Sequence, residues 1–128
     1  MTTKEHGVGI AIKRIGDKLF VEMTMIGKLT HEDYKFFVPM IDGAINATPN
    51  VKMNMLADLR KLEGWEPRAA WDDFKFGLEH RADFNKMAFV GNKTWEKLSA
   101  KIANWWVSGE TRYFEDRETA LAWLEDDD

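Results

Sequence analysis

The stretch MNMLADLRKLEGWEPRAAWDDFKFGL (residues 53–78) decides how the rest of the chain is read. Its first half sets Met53, Met55 and Ala57 against Leu56 and Leu59, with little charge until Asp58, which predicts a strand covered on both faces. Leu62-Glu63-Gly64 reads as a turn that breaks this strand and leaves Trp65 in a loop. Pro67 then opens a helix, at the first position, where its missing N–H costs little. Trp71, Phe74 and Leu78 fall on one face of that helix and are expected inward, while Phe76 points away. In an alternating α/β chain, ligands and partners meet the fold at the loop leaving a strand's carboxyl end. This loop carries a tryptophan and two carboxylates, and no usual nucleophile.

Upstream, residues 8–12 and 19–25 alternate apolar and small or polar side chains around Gly16-Asp17, a hairpin signal. Leu19, Val21, Met23 and Met25 form the inward set, and Gly27 is expected to end the second strand. Thr30 is placed to cap a helix with Glu32 and Asp33 in its first turn. Tyr34, Phe37, Ile41, Ala44 and Ile45 share one face of it; Phe36 and Met40, four apart, fall elsewhere. Pro39 inside the pattern predicts a kink or weakened turn. Downstream come a strand over 84–90, a helix capped by Thr94 with Trp95, Leu98, Ile102, Trp105 and Trp106 on one face, a short strand over 112–114 and a final helix over 118–124.

The order is β-β-α-β-α-β-α-β-α. Right-handed crossovers then favour a mostly parallel sheet, with the first strand antiparallel. The expected fold is a small two-layer α/β sandwich with a five-stranded mixed sheet and four helices, one domain over residues 1–128.

Composition narrows the function classes. A net charge of −4 and a pI near 5.4 argue against nonspecific nucleic-acid binding, which needs a basic surface. Absence of cysteine removes disulfides, thiolate metal sites and cysteine nucleophiles together. No apolar run approaches a membrane span, and no secretory signal opens the chain, so a cytoplasmic protein is expected, with membrane contact at most peripheral. Six tryptophans and eight phenylalanines are the oddity, since tryptophan is favoured where one end stays wet.

Several motifs, weak singly, follow one another in a specific order. The hairpin is followed by G-x-L-T-x-x-D-Y (residues 27–34) and by Pro39. Asp58, Gly64 and Trp71-Asp72-Asp73 come next, then Met87-Ala88-Phe89-Val90-Gly91 with Trp95. Gly109-Glu110-x-Arg112-x-Phe114 and Ala120-x-x-Trp123-Leu124 close the series. Over nearly the whole chain this resembles the bacterial SpoIIAA-like family, itself similar to STAS domains of anti-sigma-factor antagonists and to the lipid-binding CRAL-TRIO fold. The resemblance implies a five-stranded mixed sheet with its helices mainly on one face, and membrane association or apolar-ligand binding as the working function. STAS antagonists carry a phosphorylatable serine after the third strand; here residues 63–69 read EGWEPRA, without serine or threonine.

Catalytic chemistry finds no constellation. His6, His31 and His80 lie on three segments, none beside a serine. Asp72 and Asp73 are adjacent on a helix, do not face each other, and read as first-turn charges. His80 with Glu79 and Asp83 reads as a solvated helix end, and Lys93, Lys97 and Lys101 as a solvated stripe. No metal-ligand spacing or phosphate cradle occurs, so no metal, cofactor or catalytic residue is assigned. What remains is surplus apolar side chains. Phe36, Met40, Trp65 and Phe76, with Trp71, are the expected ligand-binding or interface residues, lining a patch or groove between the first two helices. Pro39 and Gly77 would loosen its flanks. The expected function is non-catalytic: a homodimeric domain that binds an apolar, lipid-like molecule or a membrane surface. The alternative is a STAS-type protein-interaction module.

Overall fold

The structure is a computed structural model that describes residues 6–47, 50–79, 83–91 and 110–126. Gly16 and Asp17 turn β1 (Gly7–Ile15) back onto β2 (Lys18–Leu29) in antiparallel register, Ile15 opposite Lys18. Gly16 has a φ of +61°; positive φ at the first central residue of a two-residue turn matches the strands' own twist. Leu19, Val21, Met23 and Met25 are all buried, as their alternation requires.

The second strand does not end at Gly27. β2 runs on to Leu29 beside β3 (Lys52–Trp65), with register shifts between Thr24 and Ile26 and between Gly27 and Lys28. Gly64 pairs with Lys28 and Trp65 with Leu29. The break expected at residues 62–64 is therefore an irregularity within a strand, and Trp65 is the strand's last residue rather than a loop residue. A bulge and a turn draw on the same glycine chemistry, here φ of +139° at Gly64, which is why sequence confuses them.

Thr30 caps α1 (His31–Asn46) through a capping box. Its side chain accepts the Asp33 N–H, and the Asp33 carboxylate accepts the Thr30 N–H at 2.8 Å. Tyr34, Phe37 and Ile41 form the buried stripe, and the helix continues through an exposed Pro39. Only Glu66 separates β3 from α2 (Pro67–Glu79); its carbonyl accepts the Ala70 N–H at 2.9 Å and opens the helix.

β4 (Phe84–Val90) and β5 (Glu110–Phe114) complete a sheet of order β1-β2-β3-β4-β5, parallel from β2 onward. α1 and α2 cover one face, over Met23, Met55, Met87 and Phe89. α3 (Arg117–Glu125) covers the other, where Ala120 and Leu124 pack on Leu56, Ala88 and Val90. The two-layer arrangement is thus corrected to one with a partial third layer. β3 and β4 are apolar on both faces and need cover on both. Polar groups fix α3 there: Asn54 Nδ2 donates to the Leu124 carbonyl at 2.9 Å, and Lys86 Nζ to those of Trp123 and Asp126 at 2.9 and 2.7 Å. Three helices occur among the described residues; the fourth expected one, after Thr94, lies outside them.

Candidate functional site

The residues expected to share a patch differ in burial. Phe36 and Met40 are 60% and 42% exposed on the outer face of α1, and Trp71 is 60% exposed on α2. The expected inward position of Trp71 is thereby corrected, as is the outward one of Phe76, which is buried. The inward stripe of α2 holds Ala69, Asp73 and Phe76, spaced four and three apart, while the side chains of Phe74 and Leu78 lie outside those described. Phe76 meets Phe37 edge-on at 6.3 Å and Phe84 at 6.4 Å, joining α1, α2 and β4. Trp65 is half-buried against the same core. An open groove of about 380 Å³ does lie between α1 and α2, lined by His31, Tyr34, Lys35, Val38, Pro39, Asp72, Lys75, Phe76 and Glu79. Phe36, Met40, Trp65 and Trp71 take no part in it.

Asp72 and Asp73 are not first-turn charges, for α2 begins at Pro67 and has no acidic residue in its first turn. Both reach across to α1. Asp72 pairs with His31, and Asp73 Oδ1 accepts the Tyr34 hydroxyl at 2.8 Å. The Tyr34 oxygen in turn accepts the Trp65 indole N–H at 2.7 Å. Protons thus point in one direction along the chain Trp65, Tyr34, Asp73, ending on a carboxylate. Burial pushes the Asp73 carboxyl up to about 6, against the opposing pull of the Tyr34 hydrogen bond. Burial first, then the Asp73 charge and hydrogen bond, hold the Tyr34 phenol well above its usual range.

Beneath α2 this chain closes a cavity of about 30 Å³, room for about one water molecule. Met23, Met25, Met55 and Met87 line it with Phe37, Phe76, Phe89, Trp65, Ala57 and Leu59, and Asp73 is its one ionisable lining group. Methionine is unbranched and repacks readily, so such a lining can widen without breaking the core. A carboxyl near 6 is in the range of a general acid or base, yet no hydroxyl nucleophile, imidazole or amine faces it in the cavity. Nothing in the sequence's hydrophobic pattern marks the four methionines as a lining, because strand alternation marks them only as core. The pairing of His31 and Tyr34 on one helix with Asp72 and Asp73 on the next was the available signal.

A second polar cluster lies on the α3 side of the sheet. Arg60 holds Asp58 through Nε at 3.0 Å and Nη2 at 2.7 Å, and Arg117 bridges Asp58 at 3.2 Å and Glu22 at 2.8 Å. Burial alone would raise the Asp58 carboxyl; hydrogen bonds and charge from Arg60, with the charge of Arg117, outweigh it and hold it below the usual carboxylate range. Arg117 ties the start of α3 to β2 and β3, while Arg60 braces Asp58 from within β3. Among the described residues no three histidines or carboxylates gather to hold a metal, and no helix is long and apolar enough to cross a membrane.

Among curated proteins, none matches the sequence. Solved structures are similar to this chain, two of them as follows. One is an uncharacterized protein of the DUF3478 family with a SpoIIAA-like fold from Shewanella loihica PV-4, 37% identical, with a TM-score of 0.82 over 97% of this chain and 98% of that one. The other is the anti-sigma factor antagonist SpoIIAA in its unphosphorylated form, 13% identical, with a TM-score of 0.61 over 91% and 97% of the two chains, a likeness of fold alone. The expected kinship with the CRAL-TRIO fold finds no support in either. The sequence profile of the SpoIIAA-like family matches residues 20–125, and the chain belongs to that family.

Proposed function

We propose that this protein is a non-catalytic binding module that takes a small apolar molecule into the methionine-lined cavity beneath α2. The observation that carries the reading is that cavity, four methionines and four aromatic rings around one carboxyl. At about 30 Å³ it is too small for anything larger than water, so binding requires the methionines to repack. The gain from enclosing a C6 chain is about 0.8 kcal/mol per methylene, less the cost of opening the core. Affinity no tighter than about a few tenths of a millimolar follows.

Titration with 1-hexanol, read as a rise in melting temperature, tests this. Ala57→Leu, which fills the cavity from β3, should abolish the rise. Phe36→Ser with Trp71→Ser on the outer helix faces should leave it intact. The opposite pattern would favour the second reading, docking of a protein partner or a membrane through Phe36, Met40 and Trp71. That reading is supported by the exposure of these three large apolar side chains on neighbouring helices and by the likeness of fold to an anti-sigma factor antagonist. Residues 63–69, where β3 passes into α2, hold no serine or threonine, so such docking would lack a phosphorylation switch at that place.

A further inference from the structure

The head group of the ligand follows from how the Asp73 carboxyl is satisfied. Its Oδ1 accepts the Tyr34 hydroxyl, whose own oxygen already takes the Trp65 N–H. Among the described residues no lysine, arginine or histidine pairs with Asp73; the neighbouring imidazole of His31 is taken by Asp72. Asp73 is therefore an acceptor that faces an apolar cavity without a counter-cation. Nearly every such carboxylate in a folded protein is paired. Trp65, Phe37 and Phe76 line the same cavity, and aromatic rings attract ammonium groups.

We infer that the cavity selects an apolar amine: the ammonium of the ligand donates to Asp73 and sits among Trp65, Phe37 and Phe76, while its hydrocarbon tail lies among the methionines. The inference rests on the binding reading above and narrows it. A fatty acid is disfavoured, because its carboxylate would meet Asp73 as a like charge in surroundings too dry to screen it. An alcohol is neutral in this respect: it can donate one hydrogen bond, without the charge.

Three molecules of equal chain length separate the possibilities: n-hexylamine, 1-hexanol and hexanoate, titrated at pH 8 and followed by calorimetry. Hexylamine is cationic there, as lysine is. The expected order is amine, alcohol, acid, with at least about tenfold between the amine and the acid. Asp73→Asn, which keeps an acceptor for Tyr34, should bring the amine and acid to within about threefold of each other. Repeating the wild-type series in about 0.5 M NaCl should preserve the order, since a buried pair is screened little. Hexanoate binding as well as hexylamine would overturn the inference and leave the cavity reading standing. An order that collapses in salt, or that survives Asp73→Asn, would trace the preference to the acidic surface and overturn it too. If none of the three binds, the cavity reading itself fails.

Discussion

Asp73 costs the fold stability at neutral pH, and the sign of that cost is testable. Its carboxyl is raised from 3.8 to about 6 in the folded protein, so between those values the native state binds more protons than the unfolded one. Stability from this group is full below pH 4 and is lost as pH rises through 6. Asp73→Asn should therefore stabilise the protein by about 1–3 kcal/mol at pH 8, and the gain should vanish near pH 4. Urea melts of both proteins across that range would check it; a gain independent of pH would contradict the assignment. Two aromatic residues five positions apart on α2 make the complementary test. Phe76→Ala should cost about 3–5 kcal/mol, as expected for a buried ring, whereas Trp71→Ala should stay within about 0.5 kcal/mol. Hydropathy suggested the reverse. The inward stripe of α2 contains an aspartate, and its outer face a tryptophan. Only the position of partners on α1 reveals which is which.

At the scale of elements, local chemistry settled most of what it addressed. The Gly16-Asp17 hairpin, the Thr30 cap and Pro67 at the head of α2 are all legible because each rests on interactions within a few residues. The length of β3 was not, since a glycine with positive φ serves a turn and a strand irregularity equally well, and pairing with Lys28 and Leu29 decides between them. Nor was the seat of α3 on the far face, which depends on Asn54 and Lys86 thirty or more residues away. Lys86 is buried, reaches two carbonyls at the end of α3 and lies 5.0 Å from the centre of the Trp123 ring. Lys86→Met would remove its hydrogen bonds to those carbonyls, at a cost of about 1–3 kcal/mol. Amide exchange should then accelerate across Arg117–Glu125 more than in α1. Uniform acceleration would mean that Lys86 supports the whole core and not the seating of this helix.

For the whole molecule, the fold class and the family follow from the order of motifs along the chain, which is why residues 20–125 match the family profile. The cavity does not follow from that order, because it is made by β2, β3, β4, α1 and α2 together. Each contributes side chains that read singly as ordinary core. Its methionines also provide the most direct probe of the central claim, that the space beneath α2 is where a ligand goes. The chain has seven methionines. Met23, Met25, Met55 and Met87 line the cavity, Met53 is buried away from its lining, and Met40 lies on the outer face of α1. In methyl spectra of protein labelled at the methionine methyl carbons, saturating n-hexylamine should move the four lining signals and leave Met40 and Met53 in place. Movement of Met40 alone, or of no methionine, would contradict the account.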